Sequence, residues 1–195
     1  MPITENFSIE QEEAKEFQPL KAGIYQAQLI DVNVELNPDY NDKSVMVKNF
    51  TFLFAVLEEP NVGRWITYRF IPTTLYVGKK GKNKLYKLVE ALLGSELTED
   101  QIKKFDAYFV GNLTGEQILL GLNTKISGEN TINVIDAVYK IKAPLTPIAD
   151  IDRKKMCEDY AEAQKKWKQG KVEEVDEKLP VIQQEDDFKL TDIPY

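Results

Sequence analysis

Residues 82–94, KNKLYKLVEALLG, decide the fold class, because they interrupt a chain that otherwise consists largely of strand-like segments. Their apolar residues recur at the spacing of one helical face, and Gly94 supplies a stop signal. The residues on this face are Leu85, Leu88, Val89 and Leu92. We therefore predict a helix here, with strands before and after it.

Three segments before the helix show the alternation of strands. They are GIYQAQLIDVNVEL (23–36), VMVKNFTFLFAVLEE (45–59) and GRWITYRFI (63–71). In the first segment the alternation changes face around Ile30 to Val34, which predicts a bulge or a strong bend. The second segment places a row of large apolar residues on one face, namely Phe50, Phe52, Phe54 and Val56.

Two further strands are predicted after the helix, at EQILLGLNTKI (116–126) and NTINVIDAVYKI (130–141). Between the helix and these strands, Thr98 followed by Gln101 forms a capping box and predicts a second, short helix. Three strands, a helical interruption and two strands form the layout of an OB-fold, a small five-stranded Greek-key barrel. We therefore predict a mainly β protein with a helical insertion between strands 3 and 4.

Composition divides the chain into four parts. Residues 1–19 are predicted to be an N-terminal arm, and residues 20–142 the OB-fold domain. Two prolines mark a boundary, after which residues 143–170 are a linker and a charged C-terminal helix. Residues 171–195 are acidic and poor in core residues, so we predict a disordered tail. Tyr160 and Trp167, seven residues apart, could form a narrow stripe for another subunit, so a homo-oligomer stays open.

The net charge of −7 is distributed unevenly. Residues 1–20 carry −4 and residues 171–195 carry −5, so the residues between them sum to +2. Within that middle part, residues 64–87 contain two arginines and five lysines and no acid. An acidic overall composition therefore hides one concentrated basic segment.

The basic segment also contains aromatic residues, and this mixture is typical of single-stranded nucleic-acid binding. Cations follow the phosphate backbone, while aromatic faces stack bases without reading their identity. The candidate single-stranded-DNA-binding residues are Arg64, Trp65, Tyr68, Arg69, Phe70, Tyr76, Lys79, Lys80, Lys82, Lys84 and Lys87. The alternative interpretation is that the aromatic residues belong to the core and the lysines solvate a loop.

Strand parity separates the aromatic candidates into two sets. Trp65, Thr67 and Arg69 share one face of the third strand, and Ile66, Tyr68 and Phe70 share the other. Only one set can face the barrel interior, and we expect Trp65 to stack on a base with Arg69 beside it. The run Gly78-Lys79-Lys80-Gly81 is interpreted as a flexible basic loop at the mouth of the groove.

Several functional classes are disfavoured by residue content. With no histidine and one cysteine, Cys157, the chain lacks Ser-His-Asp or Cys-His nucleophilic machinery, Cys/His zinc sites and an intrachain disulfide. A carboxylate-dependent nuclease remains a minor alternative, built on Asp31, Glu35, Asp39 and Asp42. Acids are common in such turns, so we predict a protein that is not an enzyme and has no metal or cofactor.

No segment has the signature of a signal peptide or the roughly 20 apolar residues of a membrane span. We therefore expect a cytoplasmic protein with no membrane partner, located in the host cytoplasm if a phage encodes it.

The last residues, EDDFKLTDIPY (185–195), resemble the C-terminal tip of bacterial single-stranded-DNA-binding proteins, which end in a run of Asp followed by Ile-Pro-Phe. The matching residues are Asp186, Asp187, Phe188, Asp192, Ile193 and Pro194, with Tyr195 in place of the final Phe. The resemblance implies that the tip recruits replication, recombination and repair proteins. Lys189, Leu190 and Thr191 interrupt the acidic run and depart from the family pattern.

Residues 20–142 resemble phage-encoded single-stranded-DNA-binding proteins, through LKAGIYQAQLIDV, VGRWITYRF and the helix before the closing strands. This resemblance implies sequence-independent binding and protection of single-stranded DNA in phage or mobile-element replication and recombination. An adaptor protein whose OB barrel binds no DNA, and whose tail occupies a partner's pocket, is the alternative.

Overall fold

The computed structural model describes residues 19–39, 42–79, 81–127 and 130–176. Strands dominate it, so the predicted fold class is confirmed at the level of a mainly β protein with helices between its third long strand and its closing pair. The chain divides into two compact units, with the boundary between Arg153 and Lys154. The predicted boundary at residues 142–143 therefore falls inside the first unit.

Five long strands form one antiparallel sheet. They are Gly23–Pro38 (β1), Met46–Val56 (β2), Trp65–Pro72 (β3), Gln117–Ser127 (β6) and Asn130–Tyr139 (β7). Two further strands, Val77–Gly78 (β4) and Gly81–Lys82 (β5), form a separate small hairpin. The long strands agree with the five predicted from alternation.

The order of the five strands across the sheet is β3-β2-β1-β6-β7. β1 is the central strand, since it pairs with β2 over Ala27–Pro38 and with β6 over Gly23–Gln28. The two outer strands approach each other. In the parts of the chain that the structure describes, no ladder of hydrogen bonds joins β3 to β7, so the sheet is not closed.

A bulge lies in β1 where the sequence predicted one. The register with β2 shifts between Leu29 and Asp31, which lets residues on both sides of the bulge present apolar groups to the same core. Leu29 belongs to the hydrophobic core, and Val32 beyond the bulge packs against it. Of the predicted bulge or strong bend, the structure shows the bulge, at the start of the predicted range.

The helices between β3 and β6 are Lys84–Leu93 (α1), Glu99–Lys103 (α2) and Ala107–Gly111 (α3). α1 has Asn83 as its N-cap, and Gly94 ends it in the left-handed conformation at φ 69°, as predicted. The predicted capping box of Thr98 and Gln101 is present at the start of α2. The sequence analysis did not predict α3, which starts at the N-cap Asp106.

The core lies between the inner face of the sheet and α1. The phenylalanine rings of β2 form a row, with centroid separations of 5.7 Å between Phe50 and Phe52 and 6.3 Å between Phe52 and Phe54. The predicted apolar face of α1 is buried throughout. Each such leucine or phenylalanine contributes about 1.5–3 kcal/mol by leaving water, so this layer supplies the main stabilisation.

Residues 142–149, which we call the strap, run over the outward face of the sheet. The side chains of Gln26, Gln28 and Gln117 point to this face and are nearly fully buried. Gln26 donates to the carbonyl of Ala143 (3.0 Å), and Gln28 accepts from the backbone N–H of Ile148 (2.7 Å). The segment predicted to be a linker is therefore fastened to the sheet by hydrogen bonds to buried glutamine side chains, because buried amides need partners.

The C-terminal helix Asp150–Asp176 (α4) extends beyond its predicted end at Gly170. It thus includes residues 171–176, which the sequence analysis assigned to the disordered tail. An internal glycine costs a helix only about 1 kcal/mol, so good helix formers after it can carry the helix through. None of the helices in the described part of the chain is both long enough and apolar enough to cross a membrane.

Candidate nucleic-acid interface

The side chains of the third strand, β3, do not alternate between the two faces of the sheet in the way that the sequence predicted. Phe52 pairs with Tyr68 but Phe50 pairs with Ile71, so the register shifts and β3 carries one extra residue at this point. Phe70 sits in this bulge with a positive φ of 57°, a conformation that is uncommon for a bulky residue. The prediction that Phe70 shares a face with Ile66 and Tyr68 is therefore wrong: Ile71 is buried in its place, and Phe70 points outward.

The aromatic candidates differ strongly in exposure. Phe70 and Tyr76 each expose 65% of their surface, so both rings are accessible to a ligand. Trp65 and Tyr68 are half-buried, and Tyr68 packs against the hydrophobic core. Tyr86, which lies in the same basic segment, is only 8% exposed and belongs to the core. Stacking surface is thus concentrated at Phe70 and Tyr76.

Tyr68 connects the core to the charged surface. The ammonium of Lys84 lies 5.9 Å from the centroid of the Tyr68 ring, within the range of a cation–π contact. Burial raises the pKa of the Tyr68 phenol, and the negative charge of Asp136 on β7 raises it further. Tyr68 therefore stays neutral well above physiological pH.

The Gly78–Gly81 run is not a featureless loop. Val77 pairs with Lys82 and Gly78 with Gly81, so the run is part of a two-stranded hairpin, with Lys79 directly after β4. Gly81 has φ 91°, which favours glycine. Lys79 is exposed in this turn, and Lys80 lies outside the described residues.

The remaining lysines fall into two groups. Lys84 and Lys87, on the first turn of α1, are exposed. Lys82 is instead ion-paired: its ammonium lies 2.7 and 2.8 Å from the two carboxylate oxygens of Glu90. The hydrogen bond that Lys82 donates to Glu90 raises the pKa of Lys82. The five lysines of the basic segment are therefore not equivalent.

The arginine candidates are half-buried, one directly before β3 and the other within it. Arg64 precedes the strand and donates from Nη1 to Oδ1 of Asn61 at 3.2 Å. Arg69 lies in the bulge next to Phe70. Arg69 thus lies on the strand that also carries the exposed ring of Phe70, and Arg64 directly precedes that strand.

The outward face of β2 is closed to ligands. Thr51, Leu53 and Ala55 point away from the phenylalanine row, yet all three are at most 1% exposed. A nucleic-acid strand cannot contact this part of the sheet, because these side chains are already covered by other parts of the protein. The accessible cations and rings lie instead on β3, the β4–β5 hairpin and the start of α1.

The acidic residues considered for a metal-dependent nuclease make other contacts. Glu35 accepts a hydrogen bond from the Thr51 hydroxyl (3.1 Å), and Asp42 accepts two from Ser44. These hydrogen bonds hold the pKa of the Asp42 carboxyl below its usual value. No group of three or more His, Cys, Asp or Glu residues is placed to hold a metal ion in the part of the chain that the structure describes.

The predicted partner-binding residues Asp186, Asp187, Phe188, Asp192, Ile193, Pro194 and Tyr195 lie outside the described residues, as does the N-terminal arm up to residue 18. Comparisons with protein-family models, with curated proteins and with solved structures found no match to this chain.

Sequence reasoning missed Glu90 as part of this region. It lies on α1, close to Lys82 in space but eight residues away in sequence. Asn83, which also holds the hairpin, could have been found, because an Asn directly before an apolar helical pattern is a typical N-cap. The contact of Glu90 depends on how the hairpin folds back, and no local sequence pattern predicts it.

Proposed function

We propose that this protein binds single-stranded DNA without sequence preference, and protects it during replication or recombination of a phage or mobile element. One observation carries the proposal: the acid-free segment 64–87 presents exposed Phe70 and Tyr76 together with exposed Lys79, Lys84 and Lys87. Rings that stack bases and cations that neutralise phosphates are the two components of a sequence-tolerant single-strand site.

We also propose that the sheet is an OB-type barrel with an open seam between β3 and β7. The strand order β3-β2-β1-β6-β7 and the helix between β3 and β6 support this assignment. OB-folds are partly open five-stranded Greek-key barrels and bind oligonucleotides. The buried outward face of β2 would then shift the DNA path toward the β4–β5 hairpin.

The C-terminal tip is proposed to recruit replication, recombination and repair proteins. Ile193, Pro194 and Tyr195 supply an apolar contact, and Asp186, Asp187 and Asp192 supply charge that steers a basic partner. The support is the resemblance of residues 185–195 to the tips of bacterial single-stranded-DNA-binding proteins.

The test is a fluorescence titration of the full chain with labelled oligo(dT) and with duplex DNA at two salt concentrations. Neutralising about four phosphates gives a slope of log K against log salt of about −3, since each single-strand contact contributes about −0.7. Equal affinity for duplex DNA, or a flat salt response, contradicts the single-strand site. If neither DNA binds but the tail still captures proteins, the adaptor alternative stands.

A further inference from the structure

The small hairpin formed by β4 and β5 lacks the features that normally hold a hairpin in place. Each strand has two residues, and a two-stranded hairpin of this size is not stable by itself in water. It also contributes little to the core, since Val77 is 60% exposed and two of its other residues are glycines. The order of the hairpin must therefore come from contacts at its base.

Two residues at that base make polar contacts across the hairpin. The side chain of Asn83 donates to the carbonyl of Thr74, and its backbone N–H donates to the carbonyl of Tyr76, both at 2.8 Å. The Tyr76 ring lies against Gly78, where an added Cβ would be 2.6 Å from Cε1 of the ring. These contacts join the two ends of the segment to each other, and Asn83 also caps α1, so the base of the hairpin is attached to the first turn of the helix.

Glu90 makes a second connection, farther along the helix. Its carboxylate accepts both hydrogen bonds from Lys82 on β5, and its Oε1 also accepts the backbone N–H of Leu97 at 3.1 Å. The Glu90 side chain is 15% exposed and that of Lys82 33%, so the pair is partly shielded from water. The Lys82 ammonium also lies 4.9 Å from the centroid of the Tyr86 ring. One carboxylate thus holds β5, α1 and the segment after α1 together.

We infer that Lys82 is a positioning residue and not a phosphate contact: with Glu90 it forms a strut that fixes the basic hairpin and so presents Lys79 in a preformed position. This inference rests on the proposed function for its ligand, although the strut itself does not. A bidentate carboxylate already satisfies the charge of Lys82, so a phosphate would have to compete with Glu90 for it. A preformed hairpin binds more tightly than a mobile one, because its ordering does not have to occur on binding.

The experiment compares Lys82→Met with Lys79→Met in the full chain, because both changes remove one lysine charge from the same hairpin. Hydrogen exchange of the Asn83 amide, measured without DNA, reports the order of the hairpin. We expect exchange at least about threefold faster in Lys82→Met and in Glu90→Gln, but unchanged in Lys79→Met. Lys82→Arg, which can keep the ion pair, should restore slow exchange.

Oligo(dT) titrations of the same variants test the role of Lys82 in binding. Lys79→Met should reduce the magnitude of the salt slope by about 0.7, whereas Lys82→Met should lower affinity several-fold with the slope unchanged. The inference is overturned if Lys82→Met reduces the salt slope as much as Lys79→Met does. It is also overturned if the Asn83 amide exchanges at the wild-type rate in Lys82→Met. If wild-type protein binds no single strands, the proposed function fails, and the exchange rates alone still decide whether the strut exists.

Discussion

Gln117 holds Leu145 through both backbone groups of that residue. The Gln117 Nε2 donates to the Leu145 carbonyl at 2.8 Å, and the Leu145 N–H donates to Gln117 Oε1 at 2.9 Å. The same Oε1 accepts from Gln26, so a single buried amide ties β1, β6 and the strap together. The outward face of this half of the sheet is closed by chain that would otherwise be a mobile linker.

Replacing Gln117 by Leu should destabilise the protein by about 1–3 kcal/mol, because it leaves the polar groups of Leu145 and the Gln26 amide without their buried partner. Chemical denaturation measures this loss. Gln164→Leu is the matched control, since it removes a glutamine whose amide donates to the Tyr160 hydroxyl within α4. A wild-type denaturation midpoint for Gln117→Leu would show that the strap contributes no stability.

Phe70→Ala should lower single-strand affinity by about 1–3 kcal/mol, the usual contribution of one stacked base. The melting temperature should change little, because the side chain is 65% exposed and is not among the described residues that form the hydrophobic core. Tyr108→Ala is the control: Tyr108 is 77% exposed but lies outside the basic segment, so its loss should leave binding unchanged. Equal effects of the two substitutions would count against stacking at Phe70.

Trp65→Ala separates stacking from packing at a half-buried position. The sequence predicts a loss of about 1–3 kcal/mol in binding with little change in the melting temperature. A large drop in melting temperature would instead assign Trp65 to the folded framework. Differential scanning fluorimetry and oligo(dT) titration of the same sample distinguish the two results.

The raised pKa of Tyr68 predicts a loss of stability at alkaline pH. The folded protein keeps the phenol proton above its ordinary pKa of 10.0, whereas the unfolded chain releases it there. The folded state then binds more protons, so the free energy of unfolding falls as pH rises from about 10 toward the folded pKa. Tyr68→Phe should remove this part of the pH dependence. Denaturation curves at pH 9 to 11 measure the effect, and identical pH profiles for variant and wild type would contradict it.

Removing residues 185–195 should leave DNA binding intact or strengthen it modestly at low salt, because the tethered acids compete with phosphates at high effective concentration. The same truncation should abolish capture of replication and repair proteins from host lysate. Tyr195→Ala should cause most of that loss, and Tyr195→Phe should be tolerated. Identical sets of captured proteins from full-length and truncated bait would leave the tail with a solvating role only.

Local patterns predicted most of the scaffold, because the periodicity of apolar residues and the capping signals act over a few positions. The apolar face of α1, its end at Gly94 and the bulge near Ile30 all depend on neighbours in sequence. The position of Phe70 could not be predicted in this way. Parity assumes an uninterrupted strand, and the bulge opposite Phe50 and Phe52 breaks that assumption.

Contacts between residues that are far apart in sequence also could not be predicted from local patterns. The sequence counts Lys82 among five lysines, but only the folded chain places it against Glu90. Likewise, Gln26, Gln28 and Gln117 alternate with core residues along their strands, as solvent-facing residues do. The strap that buries them binds through its own backbone, which leaves no side-chain pattern to recognise.

The position of β1 at the centre of the sheet affects how the chain folds while it is being synthesised. One edge of β1 is covered early, by the hairpin with β2. The other edge is covered only when β6 has been made, and Gln26 on β1 and Gln117 on β6 are 91 positions apart in sequence. Bringing such distant segments together is entropically slow, and an uncovered strand edge can pair with other chains. During synthesis, every nascent molecule therefore passes through a stage in which its middle strand is half-covered. We expect fragments that end before residue 117 to aggregate, while the completed chain seals its own edge.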